Sequence, residues 1–149
     1  MRFTFYAALI IFCASCNSSS SDRKDGFSET AKNPEDSLFQ EVMDQHDVAM
    51  SKMGKLAGYR KQIDQKLDSL KKIKSAAKVT AEKKLQAINA DLKNAEDKMN
   101  AWMHEFSIDS AQDDTERRIR YLTDEKLKVS RVKDEILGAI SEADSALKK

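Results

Sequence analysis

Methionine, histidine and tryptophan are concentrated in two short windows of this chain. Apart from the initiator, every Met (Met43, Met50, Met53, Met99, Met103), both His (His46, His104) and the single Trp (Trp102) fall within residues 43–53 or 99–104. Thioether sulfur and imidazole are soft or borderline ligands that suit Cu(I), and an aromatic face beside them can shield the ion. His46, Met50, Met53, Met99 and Met103 therefore form one candidate metal set. A mechanical reading competes with it, because Met fills irregular gaps and packs well on aromatic rings, so a Met-Trp-Phe cluster also makes an ordinary bundle end. His46 is then a hydrogen-bonded seam residue, with Asp47, Asp109 or a terminal carbonyl as its partner, and His104 falls on the outer face. Haem attachment would need a Cys-x-x-Cys-His motif, which is missing, and no cofactor is expected.

The second reactive group is a thiol. Arg2, the apolar run Phe3 to Phe12 and the small residues of Ala14-Ser15-Cys16 read as a bacterial lipoprotein export signal, with residues 1–15 removed and Cys16 lipidated. Cys13 stands where an aliphatic residue is usual, and a secretory signal cut nearby is the alternative. The apolar run is shorter than the roughly 20 residues a spanning helix needs, so the expected membrane contact is a lipid. Each buried methylene contributes about 0.8 kcal/mol, and two or three palmitate-like chains hold a protein firmly. The expected location is the cell envelope, on the periplasmic or surface face of the outer membrane. With Cys16 acylated no free cysteine remains, which excludes disulfides, a Cys nucleophile and a zinc-thiolate site.

After loss of Arg2 the mature chain has 25 basic and 25 acidic side chains, mixed along its length. A non-specific nucleic-acid binder would present a basic face with many phosphate contacts, so no nucleic acid is expected. Catalysis finds no footing either. A Gly-rich phosphate loop, a Gly-x-Ser-x-Gly elbow and a His-Glu-x-x-His pair are all missing from a chain with only 4 Gly, and its many carboxylates read as solvated. No catalytic residue is assigned, and the protein is expected not to be an enzyme.

These groups need elements to position them. Residues 16–32 are rich in Ser, Asn, Asp and Lys, with Phe27 the only large apolar group, and read as a flexible tether that reaches about 20 to 25 Å. Residues 33–149 read as three helices. Asn33-Pro34-Glu35-Asp36 supplies a cap, a proline suited to the first helical turn and two acids that complement the helix dipole. Phe39, Val42, His46, Ala49, Met53, Leu56, Arg60, Ile63, Leu67, Leu70 and Lys74 then alternate in steps of three and four. After a lapse at 75–79, Thr80 with Lys83 and Lys84 opens a second run through Leu85, Ile88, Leu92, Ala95, Met99, Trp102 and Phe106. A polar break at 107–114 leads to Thr115 as a third cap, followed by Ile119, Leu122, Val129, Val132, Ile136, Ile140, Ala143 and Leu147. The predicted fold is all-α, an elongated antiparallel three-helix bundle with coiled-coil-like packing.

A register centred near residue 77 places Arg60 opposite Ala95 and beside Glu96 or Asp97, with Lys126 at the same level. It also sets Met53 against Trp102 and Met50 near Met103 and Phe106, with His46 a turn beyond. The first helix, about 60 Å long at 1.5 Å per residue, is expected to overhang the other two. Gly54 and Gly58 mark a bend, a close helix contact or an outward contact surface, because each costs about 1 kcal/mol against Ala in a helix interior.

The segments Glu41-Val42-Met43-Asp44-Gln45-His46-Asp47, Met50-Ser51-Lys52-Met53-Gly54 and Met99-Asn100-Ala101-Trp102-Met103-His104-Glu105-Phe106 resemble a group of small helical lipoproteins of Bacteroidota. That group is often labelled "viral A-type inclusion protein", a name inherited from coiled-coil similarity. Its members similarly pair Val-Met-x-x-His-Asp with a later Trp-Met, and often have Pro where this chain has Ser51. The resemblance implies a lipid-anchored helical protein and brings no catalytic residues. The expected role is structural or protein-interacting, with the membrane held through the lipid and an unknown protein partner or self-association beyond it. The alternative is a soft-metal binder. A holdase for exported proteins rests on helical shape alone.

Overall fold

In a computed structural model, which describes residues 33–148, the chain forms α1 (Pro34–Lys71), α2 (Ala76–Glu105) and α3 (Thr115–Leu147), with no strand among the described residues. The all-α three-helix bundle predicted from the heptads is therefore the fold. The expected signal peptide 1–15, the tether 16–32 and Cys16 lie outside the described residues. No helix among the described residues is long and apolar enough to cross a membrane.

Each start has a local cause. Asn33 has extended backbone and its Oδ1 accepts from the Asp36 N–H at 2.9 Å, with Pro34 next and Glu35 and Asp36 in the first turn. The second helix begins earlier than Thr80: Ala76 and Ala77 are strong helix formers, so only residues 72–75 separate α1 from α2. Asp114, rather than Thr115, caps α3, accepting from the Arg117 N–H at 3.0 Å while Arg117 Nε returns to its carboxylate. A carboxylate outranks a threonine hydroxyl here because it accepts both the backbone donor and the guanidinium.

The core is a heptad seam. Val42, Ala49, Leu56 and Ile63 of α1 and Leu122, Val129, Ile136 and Ala143 of α3 are fully buried at seven-residue intervals. Leu85, Ile88, Leu92, Ala95, Met99 and Trp102 of α2 fill the third side at steps of three and four. Phe39, Met53 and Leu67, on the alternate α1 positions, are half-buried against that core. Gly54 and Gly58 sit inside continuous α1, and a Cβ at either would meet nothing within 4 Å. They do not serve a close helix contact.

Cross-helix pairs set the register. Arg60 bonds to Glu96, as the antiparallel α1–α2 hairpin predicts, and Asn89 Nδ2 donates to Asp64 at 2.8 Å. Lys126, however, is not at the level of Arg60; it pairs with Glu41, while Tyr59 donates to Asp144 farther along the parallel α1–α3 interface. Lys126 at the level of Arg60 and Ala95 would need the chain to reverse near the middle of residues 107–114. Instead Ser107 N–H donates to Tyr121 Oη at 2.8 Å, which lays residues 106–110 beside α3 and moves the reversal to the start of that helix.

The overhang also differs from expectation. With Asp144 at the level of Tyr59, α3 ends near the level of Gln62, and α1 continues to Lys71 with α2 still beside it. The projecting part is thus the α1–α2 hairpin, by ~13 Å at 1.5 Å per residue.

Candidate functional site

Four of the five described Phe, Tyr and Trp residues gather at the opposite end, where α1 begins and the chain passes from α2 to α3. Trp102 stacks on Phe106 with centroids 4.9 Å apart, and Phe106 also lies 6.5 Å from Phe39 and 6.1 Å from Tyr121. The His46 ring tilts on Trp102 at 5.7 Å. His46, expected a turn beyond, is therefore on Trp102 itself, and Phe39 is on Phe106. Phe39, His46, Trp102, Phe106 and Tyr121 thus form one contiguous group of rings at this end.

Two charged groups are buried here, and neither was foreseen. Glu125, 5% exposed, accepts from the Trp102 indole N–H at 2.8 Å and from Lys128 Nζ at 2.9 Å. Arg118, 7% exposed, donates to the Ser110 carbonyl at 2.7 Å and lies 6.0 Å from the Tyr121 ring. Glu125 falls midway between Leu122 and Val129 on a seam position, and only its charge hid it from a search for apolar spacing. A carboxylate on such a position in a chain with one Trp was the available signal. Lys128 is pulled well above the ordinary lysine range by hydrogen bonds to Asp124 and Glu125. The arrangement clamps α2 to α3: the indole donor is satisfied, the carboxylate is neutralised, and Arg118 holds the connection by its backbone.

That connection is two successive turns, closed by Ser110 N–H to Ser107 O and Asp114 N–H to Ala111 O, both at 3.3 Å. Ala111 takes φ 57°, the left-handed region that favours glycine. Beside it, Glu35, Asp36, Phe39, Ile108, Gln112 and Arg118 line an open cleft of about 380 Å³. Its lining mixes two carboxylates, a guanidinium and an amide with two apolar side chains.

The sequence-predicted metal residues share this half of the molecule but not one surface. Met99 is sealed in the core and Met53 packs against it, whereas Met50 and Met103 are exposed. His46 is half-buried, with Nδ1 2.9 Å from Asp47 Oδ1, the first of the partners expected for it. His104 is exposed on the outer face as predicted. Among the described residues no group of three or more His, Cys, Asp or Glu is placed to hold a metal ion. No family model, curated protein or solved structure matches this chain.

Proposed function

We propose that this is a non-catalytic, lipid-anchored helical protein of the bacterial envelope that works as a stiff spacer and interaction rod, of the kind its Bacteroidota resemblance implies. The observation that carries the reading is how the buried charges are used. Glu125 and Arg118, the buried charged groups among the described residues, are both engaged in holding α2 and the connection to α3. They are structural ties, and a site for acid-base work would need such a group free and facing a substrate. The anchor reading rests on Arg2, the apolar run after it and Ala14-Ser15-Cys16. The 38-residue α1 runs ~57 Å from the aromatic end to the α1–α2 hairpin.

Fractionation of cells that make the wild-type chain or Cys16→Ser tests the proposal. The wild type is expected in the membrane pellet and the detergent phase, and Cys16→Ser in the aqueous fraction. Equal partitioning of the two overturns the anchor. Affinity capture of the acylated protein from its own envelope then identifies what the rod contacts.

A further inference from the structure

Charge that is balanced over the sequence is concentrated by the fold at the hairpin end. Residues 66–84 contain seven Lys against Asp68 and Glu82. Of these, Lys71 pairs with Asp68 at 2.8 Å and Lys78 with Glu82 at 3.6 Å. Lys66, Lys72, Lys74, Lys83 and Lys84 have no carboxylate within ion-pair distance among the described residues. Two large aliphatic side chains stand among them: Ile73 is 49% exposed in the connection and Val79 52% exposed in the first turn of α2. Because α3 stops short, this tip projects as two helices with nothing beside it from α3.

We infer that the tip, Lys72-Ile73-Lys74 with Val79 and the lysines behind it, docks on an anionic phospholipid surface. Such a surface supplies both things the tip lacks: negative headgroups for cations without partners, and an apolar layer a few ångströms below for the two aliphatics. Lysine stems can lie along that boundary while their ammonium groups stay among the headgroups. Lys83 and Lys84 sit about two turns behind the end of the hairpin, within roughly one 10 Å screening length at 0.1 M salt. A nucleic-acid backbone would satisfy the lysines but leave Ile73 and Val79 in water. The lipid contact at the tip does not rest on the anchor reading.

The test uses residues 31–149, the compact unit that carries the whole heptad core and omits Cys16. Failure here is thereby separable from failure of the anchor. The fragment is sedimented with vesicles of phosphatidylcholine alone or with added phosphatidylglycerol. Binding is expected only to the anionic vesicles and is lost in high salt. Each lysine near such a surface strengthens binding roughly fivefold, so Lys72→Gln with Lys74→Gln should weaken it about 25-fold. Ile73→Asn should weaken it about fivefold on its own, from the exposed half of one side chain. Lys93→Gln, in mid-rod, should change nothing. Equal binding to neutral vesicles, tip variants that bind like wild type, binding of duplex DNA without vesicle binding, or self-association abolished by the tip variants would each overturn the inference.

Discussion

Replacing Trp102 by Phe and Glu125 by Leu, singly and together, probes the clamp at the aromatic end. The indole N–H and the carboxylate are both buried and 2.8 Å apart. A hydrogen bond to a charged acceptor contributes about 1.5–3 kcal/mol, and an orphaned buried donor costs about 1–3 kcal/mol. Trp102→Phe loses that bond and part of a ring, for a total of about 3–4 kcal/mol. Glu125→Leu strands the indole donor but no cation, since Lys128 keeps Asp124 at 2.7 Å, so about 2 kcal/mol is expected. In the double variant neither partner is left unpaired. It should be about 1.5–2 kcal/mol more stable than the sum of the single losses predicts. Urea unfolding followed by far-ultraviolet circular dichroism measures all four proteins, and equal denaturant slopes would show that the unfolded state is unchanged. Losses that add to within about 0.5 kcal/mol would mean that the bond contributes nothing and the clamp is only packing.

Ala111→Gly should stabilise the protein by about 0.5–1 kcal/mol in the same assay: relief of a left-handed alanine outweighs the added freedom of the unfolded chain. A loss would show that the turn does not need positive φ. Gly54→Ala with Gly58→Ala should add about 1–2 kcal/mol, because the new methyl groups meet open space on a helix; a loss would reveal a contact at that face. Asp144, held below its ordinary 3.8 by Lys148 and then Tyr59, and Asp114, held below it by the Arg117 N–H, add stability above that value and lose it as pH falls through their lowered ranges. Acid unfolding scans should therefore flatten in Asp114→Asn and Asp144→Asn; unchanged scans would contradict the assignment. Anaerobic Cu(I) titration against a chromogenic competitor should find no uptake beyond that of Met50→Leu with Met103→Leu, and uptake lost in that variant would favour the soft-metal reading.

Much of the fold was legible because a heptad repeat is redundant. Val42, Ala49, Leu56 and Ile63 announce one buried line by period alone, and Asn33-Pro34 announces where it starts. Features set by one side chain against a distant one were harder to read. Glu125 sits on the α3 seam but breaks its apolar pattern, and nothing within its own helix says that an indole N–H from α2 awaits it. Lys126 was misplaced because loop length is a poor guide to where a chain turns when Tyr121 can hold Ser107 alongside α3. His46 lies on Trp102 and not a turn beyond it, because a midpoint estimate sets backbone levels and not where the rings of side chains reach. The hairpin tip was missed for a different reason. Its lysines alternate with apolar residues along the chain, and only the end of α3 near Gln62 makes them an unpartnered projection.

Intact mass spectrometry of the protein taken from its native envelope bears most directly on the account. The predicted mass is that of a chain beginning at Cys16 and carrying a diacylglycerol thioether with an acyl group on its amine. A chain that retains Met1, or one cut elsewhere with an unmodified thiol, would contradict it.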